Sequence, residues 1–175
     1  MRADKKSQML SLMKVIGSAA ESGPLETQGY LRVEQLHRSP RAGDRLLVPP
    51  TLLLENPLNP RVFYSEEDQR SLVTSIAADG LLTALQAYPP ESGKFVLKSG
   101  HRRRRALIAL NREFAQVEIV EKPGSAIEEF RQARAINLEH KSQSYVDDAM
   151  RFAQLLEQGL VPSATALIDT LALPM

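Results

Sequence analysis

Hydrophobic and polar positions follow two different periods along this chain, and each change of period marks an element. Up to residue 46 there is one short apolar patch (Met9, Leu10, Leu12, Met13, Val15, Ile16) followed by a stretch bearing Gly, Ser and Pro with scattered charges. Residues 1–46 therefore read as a flexible arm with a weak helix. From Leu46 the chain turns hydrophobic. Leu52 to Leu54 reads as a short strand, closed by Asn56-Pro57-Leu58-Asn59-Pro60, where two prolines forbid a helix. Ser65 stands before Glu66, Glu67 and Asp68, a start signal with acids placed to suit the helix dipole. Leu72, Val73, Ile76 and Ala77 form the stripe that this helix buries, and Gly80 stops it.

Leu85 to Tyr88 and Phe95 to Leu97 read as strands joined in a hairpin, because Pro89-Pro90-Glu91-Ser92-Gly93 turns the chain between them. After Ser99-Gly100 the spacing becomes helical with Ala106, Leu107 and Leu110, and Gln116 to Val120 then alternates as a strand. Ser125 with Glu128 caps another helix, Ser144 starts one that runs to Gln158, and Ser163 starts a last one. Strands interleaved with helices and then helices alone give an α/β (α+β) fold: a small α/β domain over 47–122 with an all-helical extension over 123–175. The chain ends soon after the helix from Ser163, where the family resemblance given below implies a helix-turn-helix cut short.

Composition narrows the chemistry. The 175 residues are 43% hydrophobic, enough for a real core. There is no cysteine, which removes disulfides, thiolate metal sites and cysteine nucleophiles. The three histidines, His37, His101 and His140, are too few and too scattered for a zinc site. No apolar run approaches the roughly 18 residues of a membrane span, and no signal-peptide core follows the basic start, so the protein reads as cytoplasmic without a membrane partner. The net charge of +1 is unevenly spread. Residues 94–120 carry seven basic and two acidic side chains, +5, between neighbouring segments at −4 and −3. A polyanion is expected at that segment.

Within it lies Lys98-Ser99-Gly100-His101-Arg102-Arg103-Arg104-Arg105-Ala106, between a predicted strand and a predicted helix. A glycine at such a junction allows close approach to the backbone, the free amides of the first helical turn point outward, and arginines add forked donors that match phosphate. At about 100° per residue, four consecutive arginines do not all face one ligand. Arg102 and Arg103 are expected to face the pocket and Arg104 solvent. The alternative is a solvated basic face. The run lacks the Gly-x-x-x-x-Gly-Lys spacing of a Walker loop.

In order and spacing, Asn59-Pro60-Arg61, the helix ending at Gly80-Leu81-Leu82, the Phe95 to Ala106 run and the distal Asn137 resemble the ParB family of partition proteins over about residues 47 to 173. The resemblance implies a ParB/sulfiredoxin-like N-terminal domain that binds CTP with Mg2+, closes as a dimeric clamp on DNA and precedes a helix-turn-helix domain that reads a centromere-like site. It implies a nucleotide-binding set of Arg61, Thr83, Ser99, Gly100, His101, Arg102, Arg103 and Asn137, with Asn137 also toward the metal, and leaves Arg104 and Arg105 as DNA contacts. His101 stands where the family has Glu, Ile136 and His140 stand where its second element has Glu and Arg, and Thr83-Ala84 replaces Gln-Pro. These departures imply CTP binding with weak, slow CTPase turnover.

By the same resemblance the arm contacts a ParA-type ATPase, with Arg2, Lys5, Lys6 or Lys14 as the stimulating charge. The protein then serves partition of a plasmid, mobile element or chromosome and associates with the nucleoid or plasmid. Two alternatives stand beside this. One is a ParB-like nuclease, although only Glu113 and Glu118 lie near the basic turn. The other is an adaptor that binds nucleic-acid phosphate without nucleotide chemistry. Sulfiredoxin chemistry is excluded because there is no cysteine.

Overall fold

The computed structural model describes residues 29–139 and 144–171. The Met9 to Ile16 patch, the cations Arg2, Lys5, Lys6 and Lys14, His140 and the terminal Leu173-Pro174-Met175 lie outside the described residues. The fold divides into two units, one from Met1–Leu54 with Glu66–Val120 and one from Glu55–Ser65 with Glu121–Met175.

The first unit is a mixed sheet with helices. Its strands are β1 (Leu31–Arg32), β2 (Arg45–Val48), β3 (Leu53–Leu54), β4 (Leu85–Ala87), β5 (Phe95–Ser99) and β6 (Ala115–Ile119), and its helices are α1 (Glu66–Asp79) and α2 (His101–Ala109). The spatial order is β1-β2-β6-β4-β5-β3. β4 and β5 pair antiparallel, as the hairpin reading expects, while β6 lies parallel to β4 and antiparallel to β2. In β6, Ala115, Val117 and Ile119 are buried and Gln116 and Glu118 are half-buried, so one face of the sheet meets the core and the other stays polar. Leu46, Val48, Leu53, Leu85, Leu97 and Val117 are fully buried, joined by Ile76 from α1 and by Ala106 and Leu107 from α2. α1 packs on α2. Gly80, at φ 75°, ends α1 in the left-handed region and donates its amide to Ile76 O at 3.1 Å.

The ordered sheet begins earlier than the sequence reading placed it. β1 and most of the link to β2 fall inside the stretch read as an arm, and Leu31 pairs with Leu46. Two residues of β1 carry no alternation to detect, and Leu46-Leu47-Val48 is an unbroken buried run that periodicity alone does not assign.

The second unit consists of the 55–65 loop and three helices, α3 (Ala126–Glu139), α4 (Tyr145–Glu157) and α5 (Ala164–Leu171). Its core gathers Phe130, Leu155, Val161, Leu167 and Leu171, with Leu58 and Phe152 packed against them. Ser144 and Asp147 form a reciprocal capping box at the start of α4. Asp147 Oδ1 also accepts from the amides of Val62 at 2.6 Å and Phe63 at 2.9 Å, which pins the loop to this helix. Asp148 takes a two-pronged ion pair from Arg134 at 2.9 and 2.7 Å.

Candidate functional site

The Ser99-Gly100 junction positions the site. Gly100 is the N-cap residue of α2 with φ 97° and ψ 18°, and no side chain caps the helix there. A Cβ at Gly100 would stand 2.8 Å from Leu85 Cγ and 3.3 Å from Leu85 Cβ. Glycine is thus required twice, for the left-handed backbone and for close packing on β4. The chain leaves β5 and enters α2 with its first-turn amides lacking acceptors within the helix, the arrangement that favours an anion.

The charges of that turn strengthen the point. Acids occupy the first turns of α1 (Glu66, Glu67, Asp68), α3 (Glu128, Glu129) and α4 (Asp147, Asp148). α2 has none and begins His101-Arg102-Arg103-Arg104. Cations at the positive end of a helix dipole are each disfavoured by about 0.3–1 kcal/mol, so this turn runs against local preference, as functional sites do.

The arginines divide by role. Arg102 offers its carbonyl to Gln69 Nε2 at 3.0 Å, while its own Nε is buried without a hydrogen-bond partner. Arg103 Nη1 donates to Thr83 O at 2.5 Å and Ala84 O at 2.9 Å, and burial lowers its pKa from the usual arginine value. Arg104 does not point freely to solvent as its helical position suggested. It is half-buried, and its Nε donates to Pro50 O at 3.2 Å, because the turn preceding β3 packs beside α2. Arg105 is half-buried and His101 is 6% exposed.

Thr83, Ser99 and Arg103 line one open cleft of about 500 Å³ with Tyr30, Arg45 and Gln86. There Ser99 Oγ donates to Gln86 Oε1 at 3.4 Å. Arg61 and Asn137 belong to the second unit. Arg61 Nε donates to Phe63 O at 3.0 Å and its guanidinium stacks over Tyr64 at 5.0 Å, while Asn137 Nδ2 donates back to Ala133 O at 2.9 Å. Among the described residues no group of three His, Asp or Glu side chains is placed to hold a metal. Among the described residues no helix is long and apolar enough to cross a membrane.

Sequence reasoning missed the hydrogen bond from Gln69 Nε2 to the Arg102 carbonyl, which ties α1 to the first turn of α2. Its signal was available, since 69, 72, 73 and 76 share one helical face and Gln69 puts a polar group on the stripe that α1 buries.

The profile of the ParB N-terminal domain matches residues 35–133. The chromosome-partitioning protein Spo0J of Thermus thermophilus is 35% identical over 111 residues, 63% of this chain and 40% of that protein. The nucleoid occlusion protein of Bacillus pumilus is 31% identical over 111 residues, 63% of this chain and 38% of that protein. The chain thus spans about two fifths of the length of these curated relatives. Among solved structures, the C-terminally truncated chromosome-partitioning protein ParB from Caulobacter crescentus, complexed with CTP-γ-S, superimposes with a TM-score of 0.48 at 21% identity, covering 74% of this chain and 71% of that one. The profile match takes in more than half of the chain, from before β2 to within α3, and includes the Gly100 turn: this chain belongs to the ParB N-terminal domain family.

Proposed function

We propose that the chain is the nucleotide-binding part of a ParB-type partition or nucleoid-occlusion protein, and that the Gly100 turn receives the triphosphate of CTP. The observation that carries this reading is the buried, unpartnered Nε of Arg102 in the first turn of a helix that begins with arginines and no acid. A buried donor without an acceptor is costly, and a phosphate group brings several acceptors to one place. In this reading the amides of the first turn and the Arg102 guanidinium hold phosphate oxygens. Arg103 braces the turn by binding the chain that enters β4. Arg61 and Asn137 are assigned to the same ligand by family resemblance, and so is the preference for cytosine.

DNA, a ParA-type ATPase and a second copy of the chain are the partners proposed on the same ground, with nucleotide occupancy as the switch that closes a clamp. Arg104, whose Nε donates to Pro50 O, and Arg105 are the DNA contacts proposed on that ground. Magnesium, which at such sites keeps waters and substrate phosphates among its ligands, is proposed to accompany the triphosphate. The nuclease alternative wants clustered carboxylates, and among the described residues no three acidic or imidazole side chains gather. Titration of the chain with CTP, ATP, GTP and UTP tests the reading. CTP is expected to bind most tightly. Equal affinity for all four would remove the base preference and leave a general triphosphate site, and no binding to any would overturn the proposal.

A further inference from the structure

We infer that Glu118, with Gln86 beside it, reads the amino edge of the cytosine base, an inference that rests on the triphosphate site proposed above. The strand register lays four side chains in one row across the sheet. Arg45 on β2 pairs with Glu118 on β6, Glu118 with Gln86 on β4, and Gln86 with Ser99 on β5. All four line the open cleft of about 500 Å³. Ser99 immediately precedes Gly100, so the row begins at the phosphate turn and leads away from it. Glu118 stands two strands from Ser99, roughly 10 Å at the usual strand spacing. Its side chain is 42% exposed, and its ion pair with Arg45 is loose at 3.6 Å. An exposed pair of that kind adds little to stability. Among the residues that line the cleft, Glu118 is the one acid, set in company with Arg45 and Arg103. A carboxylate repels a triphosphate at close range, so its place is where the ligand presents donors.

The chemistry of the row selects the base. A carboxylate offers acceptors and no donor. Ser99 Oγ donates to Gln86 Oε1 at 3.4 Å, which turns the oxygen of that amide toward Ser99 and leaves Nε2 as its donor end. Glu118 and Gln86 thus set an acceptor next to a donor. Cytosine carries the complementary pair, its N4 amino group beside the N3 acceptor, and a carboxylate accepting from cytosine N4 is a recurrent base contact. Uracil reverses both, with O4 as an acceptor and N3–H as a donor, so like groups would face each other at each position. With the triphosphate at the Gly100 turn, the sugar spans the intervening strand and the base is the part of the ligand that reaches Glu118. Glu118 is thereby a specificity-determining residue that separates cytidine from uridine nucleotides. A site that hydrogen-bonds one edge rejects the analogue lacking it, because its own polar groups are then left unpaired. The competing account is a solvated polar face, on which Glu118 serves only Arg45.

Calorimetric titration of the full chain with CTP and UTP, repeated on Glu118→Gln beside its melting temperature, decides between them. The wild type is expected to bind CTP about 10- to 100-fold more tightly than UTP. In Glu118→Gln the ratio should fall to within about threefold, since an amide can turn either its oxygen or its nitrogen to the base. If the variant keeps the wild-type ratio, Glu118 serves only Arg45, and the inference fails while the triphosphate site stands. If the wild type binds both alike, the cytosine preference goes and the inference with it, but the phosphate site again stands. If neither nucleotide binds, the triphosphate site falls and takes the inference with it. Gln86→Met, which removes the neighbouring donor and keeps the carboxylate, should narrow the ratio as well. An unchanged ratio there would overturn the part given to Gln86.

Discussion

The guanidinium of Arg103 and the main chain of Thr83 are joined by a 2.5 Å hydrogen bond, and the same Nη1 atom reaches Ala84 O at 2.9 Å. The arginine run is therefore not a uniform basic patch. One member braces the fold, one leans on Pro50, and one carries a buried donor with nothing to bind.

Arg103→Ala should accordingly lower stability, by about 1.5–3 kcal/mol, as well as weaken nucleotide binding. Arg103→Lys should fail to restore either, because a single ammonium does not reproduce the planar fork. Thermal unfolding beside a CTP titration checks both. Weakened binding at unchanged stability would show that Arg103 is a ligand contact and not a brace.

Gly100→Ala should cost about 2–4 kcal/mol, the sum of forcing a Cβ into the left-handed region and pressing it against Leu85. Denaturant unfolding measures the loss. A variant that unfolds at the same denaturant midpoint as the wild type would mean that the turn relaxes freely, and that the close contact with Leu85 constrains nothing.

The second unit should be acid-sensitive through Asp147. Burial alone would raise its carboxyl pKa, but hydrogen bonds from Ser144 and from the amides of Phe63 and Val62 reverse that effect and hold it below the ordinary aspartate value. With the folded pKa depressed, this carboxylate's stabilisation is complete above the unfolded aspartate range and is lost as pH falls through the folded value. Asp147→Ala should cost about 1–3 kcal/mol at neutral pH and flatten the acid limb of a melting-temperature profile. An unchanged acid limb would assign the acid sensitivity to other carboxylates.

Much of this molecule is legible in its sequence where the signal is local. Ser144 and Asp147 announce the start of α4, and Gly80 announces the end of α1, because caps and stops depend on a few neighbouring residues. The Gly100 turn is legible for the same reason. What escapes is set by distant partners. Nothing near Arg104 in sequence indicates that Pro50 will take its Nε–H, and nothing near Leu31 indicates that Leu46 will pair with it. Gln69 lies between these cases. A polar residue on an apolar stripe is visible in the sequence, but its meaning depends on Arg102, 33 residues away.

The central claim is that Arg102, whose buried Nε has no hydrogen-bond partner, holds a nucleotide phosphate, and Arg102→Ala tests it most directly. CTP affinity of this variant, measured by calorimetry beside its melting temperature, should fall by about 10- to 100-fold, the value of a charge-assisted contact. Its stability should hold or rise, since the substitution removes a buried donor that no acceptor satisfies. Wild-type CTP affinity in Arg102→Ala would contradict the account and return the arginine run to a solvated basic face.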